Sequence, residues 1–189
     1  MSWIAWAVIG GIIVLLLFWG VAIYNGLVRL RALVKEGFSG ITVQLRRRAD
    51  LIPNLVEAVK GYASHEKEVF EQVSENRSKA LTAGSVQATA AADAQMTGLL
   101  SRLFAVAEAY PELKANTNFL QLQDQLSNIE GELQSSRRYY NATVRDLNST
   151  VQSFPAVLIA RPMGFSEEPF YQDDDQSIQS APRVSFSAA

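Results

Sequence analysis

The sequence predicts an all-α protein: a single N-terminal transmembrane helix followed by an antiparallel bundle of three to four long helices. Three observations predict it. The run WIAWAVIGGIIVLLLFWGVAI, residues 3–23, carries no charge. From Leu27 onward, apolar residues recur every three or four positions, the period of a helix face. No stretch alternates apolar and polar residues strongly enough to build a sheet.

Helix rise carries residues 3–23 across a hydrocarbon core of roughly 30 Å. Trp3, Trp6, Trp19 and Tyr24 stand near its two ends, where amphipathic rings prefer the membrane–water interface. A cleaved signal peptide needs a basic leading region and a shorter apolar run, and no Lys or Arg precedes this one. Residues 1–26 are therefore expected to be an uncleaved anchor that meets lipid through residues 3–23. Arg29, Arg31 and Lys35 follow the run, so the positive-inside rule puts the N-terminus outside and the body in the cytoplasm.

Residues 27–154 are expected to form the bundle. The first stripe takes in Ile41, Leu45, Ile52, Leu55, Val59, Tyr62, Val69 and Val73. LTAGSVQ, residues 81–87, is a turn by its Gly and Ser content, and a second helix is expected over residues 88–109. YPELKANTN breaks that helix at Pro111, and Asn118 is the expected N-cap of the next one. That helix carries Leu122, Leu126, Ile129, Leu133, Tyr140, Val144, Leu147, Val151 and Phe154, and ends by Pro155. Residues 155–171 are apolar but irregular, and are expected to lie as an extended strap on the bundle. Residues 172–189 turn polar and acidic and are expected to be disordered. Residues 27–80 as one helix would be roughly 80 Å long, against roughly 55 Å for the last helix. A break is therefore expected in the first helix, either at residues 37–40 with their two glycines or at residues 50–53.

Composition narrows the chemistry. The chain has 189 residues, a formal charge of −2 and no cysteine, which removes disulfides, thiolate metal sites and cysteine nucleophiles. A near-neutral chain without a DNA-binding motif predicts no nucleic-acid partner. Arg46, Arg47 and Arg48 point about 100° apart on a helix and cannot form one basic face. Asp50 is within salt-bridge reach of Arg46 and Arg47, and can cap helix N–H groups near Pro53. Arg48 falls on the apolar stripe and must reach a carboxylate, reach a backbone carbonyl, or snorkel outward. The sole histidine, His65, precedes Glu66 in HEKEV, which lacks the second histidine of HExxH. Glu57, Glu66, Glu130 and Glu132 lack the Glu-x-x-His pairs of a carboxylate di-metal site. Phosphate-binding and nucleophile motifs are absent. No catalytic residue, metal ligand, cofactor or small-molecule substrate is therefore assigned. Two minor readings stay open: an acid–base cluster of Glu66, His65 and Arg48, and anionic-ligand or lipid binding through residues 46–48.

Four stretches together resemble the LemA family. They are YNGLVRLRALVKEGFSGITVQLRRRADLIPNLVEAVKGYASHE at residues 24–66, LQLQDQLSNIEGELQSSRRYYNATVRDLN at residues 120–148, FPAVLIA at residues 154–160 and GFSEEPF at residues 164–170. The family pattern carries over at Tyr24, Arg47, Arg48, Asp50, Pro53, Asn54, His65 and Glu66. It continues at Glu130, Arg137, Tyr140 and Asn141, then at Phe154, Pro155, Gly164, Phe165 and Phe170. Phe38 stands where the family usually has tryptophan. The resemblance implies a bacterial membrane protein with one N-terminal span and a helical body, linked to envelope maintenance or membrane protein quality control. The expected role is a non-enzymatic scaffold or adaptor in the inner (cytoplasmic) membrane. Its partners would be the bilayer, a second copy, or a membrane protein such as a membrane protease. Residues Arg47, Arg48, Asp50, Pro53, Asn54, His65, Glu66, Glu130, Arg137, Tyr140 and Asn141 are the candidates for partner contact.

Overall fold

The structure, a computed structural model, describes residues 2–63 and 65–171; the tail expected over residues 172–189 lies outside them. All regular structure among the described residues is helical. The elements are α1 (Ser2–Lys60), α2 (Lys67–Thr82), α3 (Val86–Glu108), α4 (Pro111–Lys114), α5 (Thr117–Gln152) and α6 (Val157–Ala160). The chain divides into two compact units: Met1–Gln44 with Glu130–Phe170, and Leu45–Ile129 with Tyr171.

In the first unit, α1 opens with the apolar run, whose large side chains from Trp3 to Val21 are exposed. It is long and apolar enough to cross a membrane. Further along, Leu27, Val34 and Ile41 become buried, as do Leu133, Tyr140, Val144, Leu147 and Val151 of α5. Gly37 lies beside Tyr140 and Gly40 beside Ser136, so α1 and α5 run antiparallel here. A Cβ on Gly37 would stand 3.0 Å from the Tyr140 Cα. The break expected at residues 37–40 is absent, because α1 is helical throughout. Gly37 instead lets two helix backbones approach closely.

The segment after α5 is held to this unit by a series of polar bonds. The expected extended strap begins instead with a helical turn, α6, and only the backbone from Phe165 onward lacks regular structure. Arg31 Nη2 donates to the Gly164 carbonyl at 2.7 Å, and its guanidinium stacks 4.4 Å from the Phe165 ring centroid. Gly164 has φ +73°, a left-handed conformation that glycine adopts without steric cost. Asn148 exchanges two 2.8 Å bonds with the Glu168 backbone. The Tyr140 hydroxyl donates to the Pro169 carbonyl at 2.8 Å. Burial, and after it the nearby Glu168 carboxylate, pushes the Tyr140 hydroxyl up to about 12.

In the second unit, Ile52, Leu55 and Val59 of α1 share one core with Phe70 and Val73 of α2, Met96, Leu100 and Leu103 of α3, and Phe119 and Leu126 of α5. The first helix stops at Lys60, beyond both expected break points and short of residue 80, where the first helical stretch was expected to end. Gly61 has poor helix propensity. The tight bond from Tyr62 N to the Val59 carbonyl, 3.0 Å, then turns the chain so that Ala63 and Phe70 enter the core. Ser85 caps α3 by accepting from the Ala88 N–H at 3.2 Å. Asn116 caps α5, accepting from the N–H groups of Asn118 and Phe119 at 2.9 and 3.2 Å. The expected cap, Asn118, sits inside the first turn, because burial of Leu113 and Phe119 sets the helix start two residues earlier.

The break expected at residues 50–53 is also absent, and a side chain explains why. Pro53 has no N–H, so the Ala49 carbonyl loses its partner four residues on. Arg77 of α2 supplies the missing donor: its Nε lies 2.7 Å from the Ala49 carbonyl oxygen. The same guanidinium stands 3.8 Å from Asp50 Oδ1. Asp50 therefore does not cap a new helix; it flanks the repair of a continuous one. Replacing Arg77 by Met should destabilise the full chain in detergent by about 1–3 kcal/mol, the cost of an unsatisfied, partly buried carbonyl. In a Pro53→Ala background the same change should be nearly silent, since the new N–H can bond to Ala49. Equal losses in both backgrounds, by denaturant titration, would show that Arg77 does not act through this carbonyl.

Candidate functional site

The most buried charged residue among those described is Arg48, 1% exposed. It sits on the α1 stripe between Ile41 and Ile52, seven residues after one and four before the other, so helix geometry forces it inward. Across from it, α3 presents Asp93, 2% exposed. Arg48 Nη1 meets Asp93 Oδ1 at 2.6 Å, and Arg48 Nη2 donates to Thr97 Oγ1 at 2.9 Å. Thr97 Oγ1 in turn donates to the Asp93 carbonyl at 3.0 Å. The Tyr171 hydroxyl donates to Asp93 Oδ2 at 2.6 Å. Both carboxylate oxygens are thus engaged, one by a cation and one by a phenol.

These distances decide what the cluster can do. Isolated charges in a protein interior cost several kcal/mol each, and only close pairing with further hydrogen bonds offsets that cost. Here the pair is short, charge-assisted and closed off from solvent. The arrangement therefore ties three chain segments together: α1 at Arg48, α3 at Asp93 and Thr97, and the chain end of the strap at Tyr171. A ligand reaching Arg48 would have to displace Asp93.

The other sequence candidates are dispersed. Asp50, Pro53 and Asn54 are exposed on α1, with Asp50 and Pro53 joined only through Arg77. Arg46 and Arg47 are exposed on the same helix, so the three arginines do not share one environment. His65 and Glu66 are exposed in the loop between α1 and α2, so neither meets the buried Arg48. Glu130, Arg137 and Asn141 are half-buried along α5, and Tyr140 is buried against Pro169. Among the described residues no three acidic or histidine side chains gather as a metal site. Trp3, Trp6 and Trp19 are exposed on the apolar part of α1, while Tyr24 packs edge-on against Phe165 at 5.8 Å.

A second polar feature lies between α2 and α3. Asn76, Lys79, Gln95 and Arg102 line a groove of about 320 Å³. Asn76 Nδ2 donates to Gln95 Oε1 at 2.9 Å, and its buried Oδ1 has no hydrogen-bond partner.

Sequence reasoning identified Arg48 but not Asp93, Thr97, Tyr171, Arg77 or Asn148. A signal for Asp93 was present. It is one of two acidic residues between Val86 and Glu108, and it falls on the same face as Met96, Leu100 and Leu103. A lone acid on one buried stripe is the natural counterpart of a lone base on another. Arg77 had no comparable signal, since its role depends on three-dimensional proximity to Ala49.

These features define a class: an all-α protein whose first helix opens with a membrane-length apolar segment and whose body encloses a buried Arg–Asp–Tyr tie. The chain belongs to the LemA family, whose model matches residues 37–186. It is 22% identical to the magnetosome protein MamQ of Magnetospirillum gryphiswaldense, over 79% of this chain and 65% of that one. It is 23% identical to MamQ 1 of Paramagnetospirillum magneticum, with the same coverage. It is 25% identical to Protein LemA of Metamycoplasma hominis, over 78% of this chain and 68% of that one. The chain therefore spans about 65% of the length of the MamQ relatives it matches.

Replacing Arg48 by Met should leave Asp93 buried and uncompensated, and should cost about 3–5 kcal/mol of stability. Arg48→Lys should recover only part of this, because one ammonium cannot reproduce the planar fork that meets Asp93 and Thr97. Denaturant titration of the full chain in detergent measures both. A loss below about 1 kcal/mol for Arg48→Met would mean that the pair contributes little to the fold.

Proposed function

We propose that this protein is a membrane-anchored, non-enzymatic scaffold or adaptor of a bacterial inner membrane. Residues 3–23 cross the bilayer with the N-terminus outside. Residues 27–154 form an antiparallel helical bundle in the cytoplasm, braced by the strap over residues 155–171. The body acts through its helix faces, by self-association or by holding a membrane protein, in envelope maintenance or membrane protein quality control.

One observation carries this reading: α1 passes without interruption from the apolar segment into the buried, packed part of the first unit. A chain that joins membrane to body by continuous helix, with no flexible linker, holds its body at a fixed height above the lipid. The buried charges support the same reading, since Arg48 and Asp93 are committed to an internal tie. Val28 and Val43 remain exposed on α1 and offer apolar contact to a second copy.

A second reading, a module for polar or anionic ligands, is favoured by the α2–α3 groove rather than by residues 46–48. Lys79 and Arg102 supply positive charge there, and the unpartnered Asn76 Oδ1 accepts a donor.

The scaffold reading is tested by crosslinking and native mass measurement of the full chain in lipid nanodiscs. It predicts assemblies of two or more copies, shifted toward single copies by Val43→Glu. Single copies at all concentrations, with no membrane protein retained through purification, would contradict it.

A further inference from the structure

The turn after α5 carries an apolar cluster that none of the ties uses. Phe154 is 79% exposed, Leu158 65% and Met163 60%. Scattered exposed apolar side chains need no explanation, but three bulky ones within ten residues of one turn do. Their height along α1 is fixed by contact. Ile159 Cδ1 lies 3.7 Å from where a Cβ on Gly20 would stand. Ile159 and Met163 line an apolar groove of about 440 Å³ whose other wall includes Leu16, Gly20 and Val21.

Gly20 is three residues and Leu16 seven residues before Ile23, where the uncharged run ends. Helix rise places them about 4.5 and 10 Å inside that end. The neighbouring contacts mark the outer level: Tyr24 against Phe165, then Arg31 on the Gly164 carbonyl. So α6 lies beside the last turns of the apolar segment, and Gly164 lies just beyond them.

We propose that this α6 turn is a second membrane-inserting element. Phe154, Leu158 and Met163 enter the interfacial layer of the leaflet from which the span emerges, and the exposed Arg161 reaches anionic headgroups. The proposal rests on the reading of residues 3–23 as a bilayer span. Lipid is the occupant because the groove is continuous with the lipid-facing surface of that span. Apolar faces that lie in an interface bury about 5–10 Å deep, the depth range over which α6 meets α1. Cationic side chains beside such a face are drawn to anionic lipid. The body would then touch the bilayer at two places, which fixes its rotation about the span as well as its height.

The chain contains no cysteine, so single labels can be placed cleanly. The full-length variants Leu158→Cys, Phe154→Cys, Val14→Cys and Leu120→Cys, each carrying an environment-sensitive fluorophore, would be placed in nanodiscs containing lipids spin-labelled near the headgroup or deep in the chain. Leu158→Cys and Phe154→Cys should show blue-shifted emission and quenching by the shallow spin label. Val14→Cys should be quenched by the deep label and Leu120→Cys by neither. If Val14→Cys is quenched while Leu158→Cys and Phe154→Cys match Leu120→Cys, α6 does not insert and the span reading survives. If Val14→Cys is not quenched, the span reading fails and the proposal fails with it.

Discussion

The second unit is organised by one constraint: a guanidinium placed where a helix has no solvent to offer it. Arg48 is on the inward stripe of α1 because helix geometry puts it there, between Ile41 and Ile52. Everything around it answers that demand. Asp93 brings the opposite charge from α3, Thr97 takes the second arm of the guanidinium, and Tyr171 occupies the carboxylate oxygen that Arg48 leaves. An ionic tie of this kind adds less net stability than well-packed apolar residues would. What the contacts show is a joint: α1, α3 and Tyr171 meet at one carboxylate.

The same logic operates at Pro53. A proline inside α1 deletes a donor, and Arg77 donates to the carbonyl that this leaves free. In the first unit, Asn148, Tyr140 and Arg31 hold the backbone of the strap at Glu168, Pro169 and Gly164. Arg31, Arg48 and Arg77, which look like surface charges in one dimension, thus serve as joints in three. Arg48 is thus already engaged inside the protein by Asp93.

Much of this was legible in the sequence. The helical class, the apolar N-terminal segment and the family followed from periodicity, from the uncharged run and from the four motif stretches. The inward position of Arg48 followed from counting along the helix. The joints were less legible, because they depend on which residues meet. Gly37 and Gly40 suggested a bend, but the structure uses Gly37 for close helix packing against Tyr140. Pro53 suggested a break, but Arg77 lies 24 residues away in sequence and only the fold brings it to Ala49. The true end of α1 was marked by Gly61, a weaker signal than the proline that precedes it. Asn116 and Asn118 are equally good caps by type, and core packing chose between them.

The central claim is that Arg48, Asp93 and Tyr171 form one energetic unit that locks the second unit. A double-mutant cycle on Asp93→Asn and Tyr171→Phe, read by denaturant titration of the full chain in detergent, tests it most directly. The account predicts strong non-additivity: once Asp93 has lost its charge, removing the Tyr171 hydroxyl should cost much less, with a coupling of about 1–3 kcal/mol. Losses that add within about 0.5 kcal/mol would contradict it, and would mean that the two residues stabilise the protein independently.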